Sequence, residues 1–431
     1  MQTHAATILL ALPGGSCSNG EVCSGGSLCN GLTCVCPDGM PPSKGICIRG
    51  RGILAEPCPS EGDQSDNCLL PDCYCSRSGF DIPGHLPVED VPQIVMLTFD
   101  DPVNEVTIDV YRSLLDGQYK NPNGCPIKAT FFISHEYNNY QHSQWLYWKG
   151  HEIAVNSITH ETLSESPMLE WAAEMDGMRT LLNRLSAVNA SVVRGMRAPQ
   201  LAVGGNRQFA MMQRYQFAYD NSMSVNPGRD GASYWPQTLD YQVAWPCEVT
   251  PCPDQSFPGI WAVPINQFYG DYIHEMHQYR RGVMVSAAMN RKAGAQEAYR
   301  LLLSNFNRHY RTNKAPFVLT LNADFLRTLP NDGGVKALEK FLSKILTRPD
   351  VWVTSIADGI AWIQRPTRLS DLETFQPWAC NRRARSEAEP CEVPKTCSYT
   401  DADPTLGDRW LSTCFSCPGE YPWVKKDHRK R

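Results

Sequence analysis

Short apolar runs alternate with amphipathic segments from residue 90 to about residue 365. In one amphipathic segment the apolar positions recur every three or four residues from Met168 to Leu185, after Ser166 as a helix cap and Pro167 in the first turn. A second predicted helix covers Val335–Leu346. The apolar runs have the length of buried strands, and they are Ile94–Phe99, Ala129–Ser134, His151–Val155, Val193–Met196, Phe217–Tyr219, Ile260–Pro264, Phe317–Leu321 and Val351–Ser355. This alternation predicts an α/β fold, a distorted (β/α)7-8 barrel that is open or incomplete.

Polar side chains directly follow five of these strands. In barrels of this class the active site lies where the strands end, so we expect these side chains to share one face. Two adjacent carboxylates are costly to desolvate together, and metal or proton chemistry would explain them, one binding a cation and the other acting as a base. An Asp-Asp-Pro turn that simply ends a strand is the alternative. The side chains are Asp100, Asp101, Asn156, His160, Arg197, Asp220 and Asn322.

Eighteen cysteines cluster at the two ends of the chain and leave a long middle nearly free of them. Disulfides explain this better than zinc, because neither Cys73-x-Cys75 nor Cys414-x-x-Cys417 has a matching second pair at ordinary ligand spacing. Disulfides in turn predict an extracellular, secreted protein. The expected organisation is a leader remnant at 1–16, a disulfide module at 17–50, the barrel at 51–375 and a Cys-rich extension at 376–431.

Charge and hydropathy exclude two classes of partner. The net charge of −5 gives no electrostatic support for nucleic-acid binding. No apolar run approaches the length that spans a bilayer, so we expect no membrane span. The sequon Asn189-Ala190-Ser191 is compatible with secretion.

Several motifs resemble those of the polysaccharide deacetylases of carbohydrate esterase family 4, the NodB-homology fold, and most closely its animal chitin deacetylase-like branch. Thr98-Phe99-Asp100-Asp101 resembles the first motif of that family, and Arg197-Ala198-Pro199 resembles the third. Gly150-His151-Glu152-Ile153 resembles the lead-in to the second. The strand from Ala129, the cysteines from Cys58 to Cys75 and the stretch Trp410–Trp423 also match, while residues 17–50 resemble an EB or EGF-like module.

The resemblance implies a hydrolase that removes N-acetyl groups from chitin or a related polysaccharide with a bound metal, usually zinc. Asp101 and His160 would then be metal ligands and Asp100 the base. Arg197 would hold Asp100 ionised, and Asp220 would match the family's further acidic partner. Pro199 and Trp235 are candidates for contacting substrate, with Trp235 as an aromatic wall.

Two positions depart from the family pattern. Asn156 stands where the first histidine of the second motif is expected, and an amide oxygen is a poorer ligand for zinc than imidazole. Asn322 stands where the fifth motif supplies a general acid, whose loss typically costs about 10²–10⁴ in rate. We therefore expect a degraded site that binds chitin or a related glycan with impaired or abolished turnover, and a weakened zinc site.

Three alternatives stay open from the sequence. The first is an active zinc-dependent deacetylase in which a substitute histidine supplies the missing ligand or acid. The second is a structural protein of the extracellular matrix that binds no glycan; exposure of aromatic residues near the groove would argue against it and their burial would favour it. A zinc peptidase or phosphoesterase is the third, without its usual motifs. The residues concerned are His135, His142 and His151 for the first, and Tyr234, Trp235, Trp245 and Trp261 for the second.

Overall fold

Two compact units make up the chain, Met1–Leu54 and Ala55–Arg431. The computed structural model describes residues 10–18, 22–23, 27–29, 32–35, 54–59, 68–380, 389–402 and 406–424. Most of the predicted leader remnant, and Cys36 and Cys47 of the predicted module, lie outside the described residues.

The strands are short in the first unit and longer in the second. In chain order they are β1 (Leu10–Ala11), β2 (Val22–Cys23), β3 (Leu28–Cys29), β4 (Cys34–Val35), β5 (Gln93–Phe99), β6 (Thr130–Ile133), β7 (Glu152–Val155), β8 (Gly195–Met196), β9 (Tyr219–Asp220), β10 (Ser224–Val225), β11 (Gln237–Leu239), β12 (Phe257–Ala262), β13 (Ile265–Asn266), β14 (Phe268–Ile273), β15 (Gln278–Gly282), β16 (Phe317–Leu321), β17 (Val351–Thr354), β18 (Lys395–Tyr399) and β19 (Arg409–Thr413).

Helices connect these strands in the second unit. They are α1 (Ile108–Leu115), α2 (Tyr140–Trp148), α3 (Met168–Ser186), α4 (Gly205–Arg214), α5 (Ala295–Arg311), α6 (Ala323–Arg327), α7 (Gly333–Ile345) and α8 (Ile356–Gln364). Within the described ranges no helix combines the length and the apolar character that crossing a bilayer requires.

One curled sheet organises the second unit, in the strand order β11-β12-β9-β8-β7-β6-β5-β16, with β17 also paired to β5. All of its neighbouring strands are parallel except β11 and β12, which are antiparallel. In the described chain the edge strands β11 and β16 are not paired with each other, so the barrel is open. Because the strands are parallel, their carboxyl ends face the same way, and the side chains that follow them converge on one edge.

The central strand β5 is buried along its whole length. Val95, Leu97 and Phe99 pack into a large core that includes the apolar side of α3, while Ile94 and Met96 pack into a second cluster with the apolar side of α8. A strand buried on both faces needs apolar residues at every position, which explains its uninterrupted apolar run. One detail of the helix prediction was wrong: α3 has Pro167 at its N-cap position, without a capping side chain.

The described cysteines are all in disulfides, which confirms that interpretation over zinc. Cys73 and Cys75 pair with Cys68 and Cys58, respectively, and near the C-terminal end Cys391 pairs with Cys414 and Cys397 with Cys417. The others are Cys17–Cys29, Cys23–Cys34, Cys125–Cys380 and Cys247–Cys252. The C-terminal extension does not form a compact unit of its own; Arg409 in β19 donates to Glu136 at 2.7 Å, beside the end of β6.

Candidate functional site

The two adjacent carboxylates leave the end of β5 toward different partners. The backbone N–H of Asp100 donates to Leu321 at 2.9 Å and so continues the pairing of β5 with β16. Asp101 has a φ of 80°, in the left-handed region. Its Oδ2 accepts a 3.0 Å hydrogen bond from the backbone N–H of Ala323, while Asp100 contacts Arg197. The local backbone therefore directs the two carboxylates to different partners, although their mutual repulsion persists.

Arg197 is fully buried and is held on every side of its guanidinium. It forms an ion pair with Asp100, donates to Thr98 Oγ1 at 3.1 Å and donates through Nε to the backbone oxygen of Asn221 at 2.9 Å. The side-chain oxygen of Asn221 accepts a further hydrogen bond. The guanidinium carbon lies 4.0 Å from the ring centroid of Phe132. A buried charge is tolerated when it is paired in this way.

The environment of Asp100 raises the pKa of its carboxyl to about 6. Burial is the largest cause, the attraction of Arg197 opposes it, and repulsion by Asp101 adds to the rise. A carboxyl with this pKa exchanges protons close to neutral pH, as acid–base chemistry requires.

Asn156 and His160 meet across one turn of the loop that follows β7. The Nδ2 atom of Asn156 lies 3.3 Å from Nε2 of His160. Its Oδ1 atom is buried and has no hydrogen-bond partner among the described residues. Burial lowers the pKa of His160, against the attraction of Asp101 and then Glu174, so the imidazole is neutral at pH 7. An amide N–H aimed at Nε2 uses the lone pair that a metal ion would need.

A zinc ion, which the family resemblance implies, would require Asp101, His160 and Asn156 as ligands. Catalytic zinc sites hold the ion with three protein ligands drawn from imidazole, thiolate and carboxylate. Here only two are of that kind, and the third is a neutral amide. The one group of three His, Cys, Asp or Glu side chains with metal-ligand spacing in the described chain is Cys17, Cys23 and Cys29, whose sulfurs are in disulfides. The residues present therefore fit zinc poorly.

Glu174 of α3 fastens the loop that carries His160, and the sequence reasoning missed it. Its carboxylate accepts hydrogen bonds from the backbone N–H groups of Ile158 at 2.9 Å and Thr159 at 2.8 Å, and from the Thr159 hydroxyl at 2.7 Å. The side chain is buried. A signal existed, because Glu174 lies three residues after Trp171 on the apolar face of α3, where a carboxylate needs partners.

Asp220 braces the Arg197 loop but forms no hydrogen bond with the guanidinium. Its carboxylate accepts from Gln208 at 2.7 Å, and from the Ser222 hydroxyl at 2.6 Å and backbone N–H at 3.0 Å. Ser222 Oγ accepts from the N–H of Ala198 at 2.7 Å. Burial raises the pKa of Asp220 to about 6, and the hydrogen bonds from Ser222 oppose the rise. The neighbour that contacts Arg197 is Asn221, which sequence reasoning did not single out.

Asn322 has a structural role at the start of α6 that the sequence analysis did not predict. Its Oδ1 accepts the backbone N–H of Phe325 at 3.1 Å, which makes Asn322 the N-cap of α6. Pro199 is buried and begins the turn Pro199–Leu201, from which Gln200 reaches the carbonyl of His160 at 3.5 Å. The contact between Gln200 and His160 joins the segments that follow β7 and β8.

The aromatic wall predicted at Trp235 does not fit its position. The ring is fully buried, with its centroid 6.1 Å from that of Trp362, so it offers no face to a sugar. Trp245 and Trp261 are also buried and Tyr234 is partly buried. The sequence alone could not show that Trp235 is buried, because aromatic residues near strand ends occur both in cores and in binding grooves.

The three substitute histidines have other partners. Nδ1 of His135 lies 2.6 Å from the Tyr140 hydroxyl, and Nε2 of His142 lies 2.7 Å from Glu105. His151 precedes β7, at the opposite end of the strand from Asn156, and is buried. None of them forms a hydrogen bond with Asn156 or His160 in the described part of the chain.

Comparison with known proteins matches two families along the chain. The EB module matches residues 3–47, and the polysaccharide deacetylase family matches residues 88–213. Chitin deacetylase 1 of Bombyx mori is 37% identical over 86% of this chain and 68% of its own, and chitin deacetylase 8 of the same moth is 31% identical over 86% and 93%. A crystal structure from Mycobacterium smegmatis assigned to the polysaccharide deacetylases superposes with a TM-score of 0.45 at 16% identity, covering 68% of this chain and 96% of that one. The chain therefore belongs to the polysaccharide deacetylase family.

Proposed function

We propose that the chain is a secreted chitin deacetylase-like protein that binds chitin or a related N-acetylated glycan at the edge formed by β5, β7, β8 and β16, with turnover impaired or abolished. The observation that carries the proposal is the contact of Asn156 with His160 Nε2 at 3.3 Å, where the family pattern has two histidines. A shaped polar site is kept there without its full set of zinc ligands.

The parts of the site that position groups are intact. Arg197 and Asp100 are paired and buried, and Glu174 pins the loop of His160. Arg197 and Glu174 would act by holding Asp100 and the His160 loop in place, and Asp100 and His160 would be the groups that face an acetamide. Pro199, at the start of the turn beside His160, would border the bound sugar.

The parts that supply chemistry are reduced. A bound zinc ion would polarise the acetamide carbonyl and activate water. With Asn156 as the third ligand, zinc affinity is expected to be low. The side chain of Asn322 caps α6, and an amide has no proton to deliver to a leaving amine. Asp100 remains as a candidate base, but it would act without a strongly bound zinc ion and without a general acid.

Secretion is supported by the disulfides and by the glycosylation sequon. All sixteen described cysteines are paired, as expected for an oxidising compartment. Asn189 of the sequon is exposed, so its side chain is accessible to modification. The expected setting is the extracellular matrix.

The test is binding and turnover measured on the same purified full-length protein with zinc or cobalt supplied. Titration calorimetry with chitin oligomers is expected to show binding, and an acetate assay on the same samples no release above background. Acetate release at a rate like that of intact relatives would refute the impaired site.

A second candidate, a structural matrix protein that binds no glycan, is favoured by one observation. Trp235, Trp245 and Trp261 are all buried, so these three candidate rings offer no stacking platform. Retention on chitin beads separates the two candidates. The variant His160→Ala should weaken retention if the glycan binds at the site, with exposed Glu161→Ala as the control. No retention of the unaltered protein would leave the structural role.

A further inference from the structure

An exposed tyrosine lies in the loop that follows β6. Tyr137 is 63% exposed, although it comes only four residues after the buried strand Thr130–Ile133. In the sheet, β6 lies between β5, which leads to Asp101, and β7, which leads to His160. Because these three strands are parallel, the loop of Tyr137 leaves the sheet between the loops of the two site residues.

Hydrogen bonds join the loop of Tyr137 directly to the segment that follows Asp101. The backbone N–H of Val103 donates to Oδ1 of Asn138 at 2.9 Å. The backbone N–H of Asn139 in turn donates to the carbonyl oxygen of Val103 at 2.8 Å. Val103 is two residues after Asp101, and two residues of chain span at most about 7 Å. A glycan of a few sugar rings that begins at Asp101 therefore reaches Tyr137.

Trp423 connects the same loop to the loop of His160. The centroid of its ring lies 6.4 Å from that of His135, which is two residues before Tyr137. Trp423 also lines, together with Ile158, a cleft of about 560 Å³. Ile158 is two residues before His160. The loop of Tyr137 is therefore in contact with the surroundings of both site residues.

One face of the Tyr137 ring is covered by Arg409 of β19. The guanidinium carbon lies over the ring, 5.6 Å from its centroid, a distance at which a cation attracts an aromatic face. Nη2 and Nε of Arg409 also donate to Glu136 at 2.7 and 3.0 Å, which fixes the guanidinium in place. Since the tyrosine is 63% exposed, the opposite face of its ring is open to solvent.

The backbone of Tyr137 is in the left-handed region, with a φ of 63°. A bulky residue is strained there, and such conformations concentrate at functional sites. The loops after β5, β7 and β8 contain further residues of this kind, which are Asp101 at 80°, Ser157 at 71°, His160 at 56° and Gln200 at 55°. Tyr137 thus shares with the site residues a strained backbone that its neighbours hold in place.

A pyranose ring suits an open aromatic face with polar surroundings. Its carbon-bound hydrogens lie on its faces, toward the negative face of an aromatic ring, and its hydroxyl groups lie at its edge. Polar groups border Tyr137, namely the carboxylate of Glu136 and the exposed carboxylate of Glu105, which accepts from Nδ2 of Asn139 at 3.0 Å. A peptide would instead need a sheet edge or several apolar anchor sites in one groove.

We propose that Tyr137 is a stacking platform for a pyranose ring of the glycan whose acetamide lies at Asp101 and His160. The inference rests on the proposed function for the identity of the polymer. The platform itself contacts the face of a sugar ring and not its acetamide, so it would also accept a glycan without N-acetyl groups.

The experiment measures binding of the full-length protein to a chitin hexamer and to cellohexaose, which has the same linkage without acetamides. Tyr137→Ala should lower the affinity for the chitin hexamer by about tenfold, and Tyr137→Phe, which keeps the ring, should preserve it. Tyr272→Ala is the matched control, because Tyr272 is an exposed tyrosine on β14, outside the loops that follow β5 to β8. Thermal melts verify that each variant is folded.

The outcomes separate the two proposals. Chitin binding that falls in both Tyr137→Ala and His160→Ala, and is kept in Tyr137→Phe, supports both. Binding that needs Tyr137 but not His160, with cellohexaose bound as tightly as chitin, supports the platform and refutes the proposed function. Unchanged chitin affinity in Tyr137→Ala, or an equal loss in Tyr272→Ala, overturns the platform alone. If the unaltered protein binds neither oligomer, both proposals are wrong.

Discussion

The side-chain nitrogen of Asn156 lies 3.3 Å from Nε2 of His160 and occupies the direction from which a metal ion would approach that ring. The amide oxygen of the same residue is buried without a hydrogen-bond partner in the described chain. Under our proposal this asparagine keeps the outline of the site and weakens it for zinc, because asparagine fills a volume similar to that of histidine but offers a weaker ligand for zinc.

Replacing Asn156 by histidine should restore a third strong zinc ligand beside Asp101 and His160. Zinc affinity is expected to rise by about tenfold or more, since even outer partners of metal ligands change affinity by that amount. Competition with a chelating dye measures it, and cobalt absorption reports the geometry. Asn156→Ala is the control and should not gain affinity. Equal zinc affinity in the histidine variant and the unaltered protein would show that the site is placed differently.

Removing Arg197 should destabilise the protein. Arg197→Gln is expected to lower the free energy of unfolding by about 3–5 kcal/mol at pH 7, because a buried Asp100 carboxylate loses its counter-charge. The loss should be smaller at pH 4, where Asp100, with a pKa of about 6, is protonated in both proteins. Arg194→Gln is the control, since Arg194 is exposed and should change stability by no more than about 0.5 kcal/mol. Denaturant unfolding at both pH values gives the comparison.

Removing the carboxylate of Glu174 should loosen the loop of His160. Glu174→Gln places an amide N–H against backbone donors, and we expect faster amide hydrogen exchange at Ile158 and Thr159 together with a stability loss of about 2 kcal/mol. Glu170→Gln, on the same helix with no contact to the loop among the described residues, should change neither. Unchanged exchange in Glu174→Gln would mean that the loop is held by other contacts.

Asp220 should make stability depend on pH in a defined window. Its carboxyl keeps a proton up to a pKa of about 6 in the folded protein, whereas the ordinary value in an unfolded chain is 3.8. The folded state therefore binds more protons between these values, and its stability falls as the pH rises through them. Relative to Asp220→Asn, the unaltered protein should lose about 2 kcal/mol between pH 4 and 6, out of a total of about 3 kcal/mol that is complete above about pH 7. A flat difference across this window would contradict the raised pKa.

The sequence predicted the strands better than the connections. All eight predicted strands lie in the curled sheet, because fully buried parallel strands require apolar runs that stand out from their surroundings. The sequence analysis missed β11, which has only three residues, and the β14–β15 hairpin, whose strands mix polar and apolar residues. Whether a surface segment forms a β-hairpin depends on its packing against elements that are distant in sequence, and the hydropathy pattern does not contain that information.

The sequence anticipated the placement of polar side chains that follow strand ends, and it missed neighbours supplied by a helix or by a turn. Asp100, Asp101, Asn156 and Arg197 come together because parallel strands end at one edge. Glu174 reaches that edge from the buried side of α3, and Asn221 is aimed at Arg197 by the turn after β9. Trp235 was predicted to contact substrate but is fully buried, because hydropathy cannot distinguish a buried ring from one that lines a groove.

The most direct test compares acetate release from a chitin hexamer by the unaltered protein and by the double variant Asn156→His/Asn322→His, both saturated with zinc. The double variant should be faster by about 10²-fold or more, because it regains a metal ligand and a general acid. A folding check is needed, since Asn322 also caps α6 and its loss costs about 1 kcal/mol. If the unaltered protein already releases acetate as fast as the folded double variant, the two asparagines are not what limits this site, and the account is wrong.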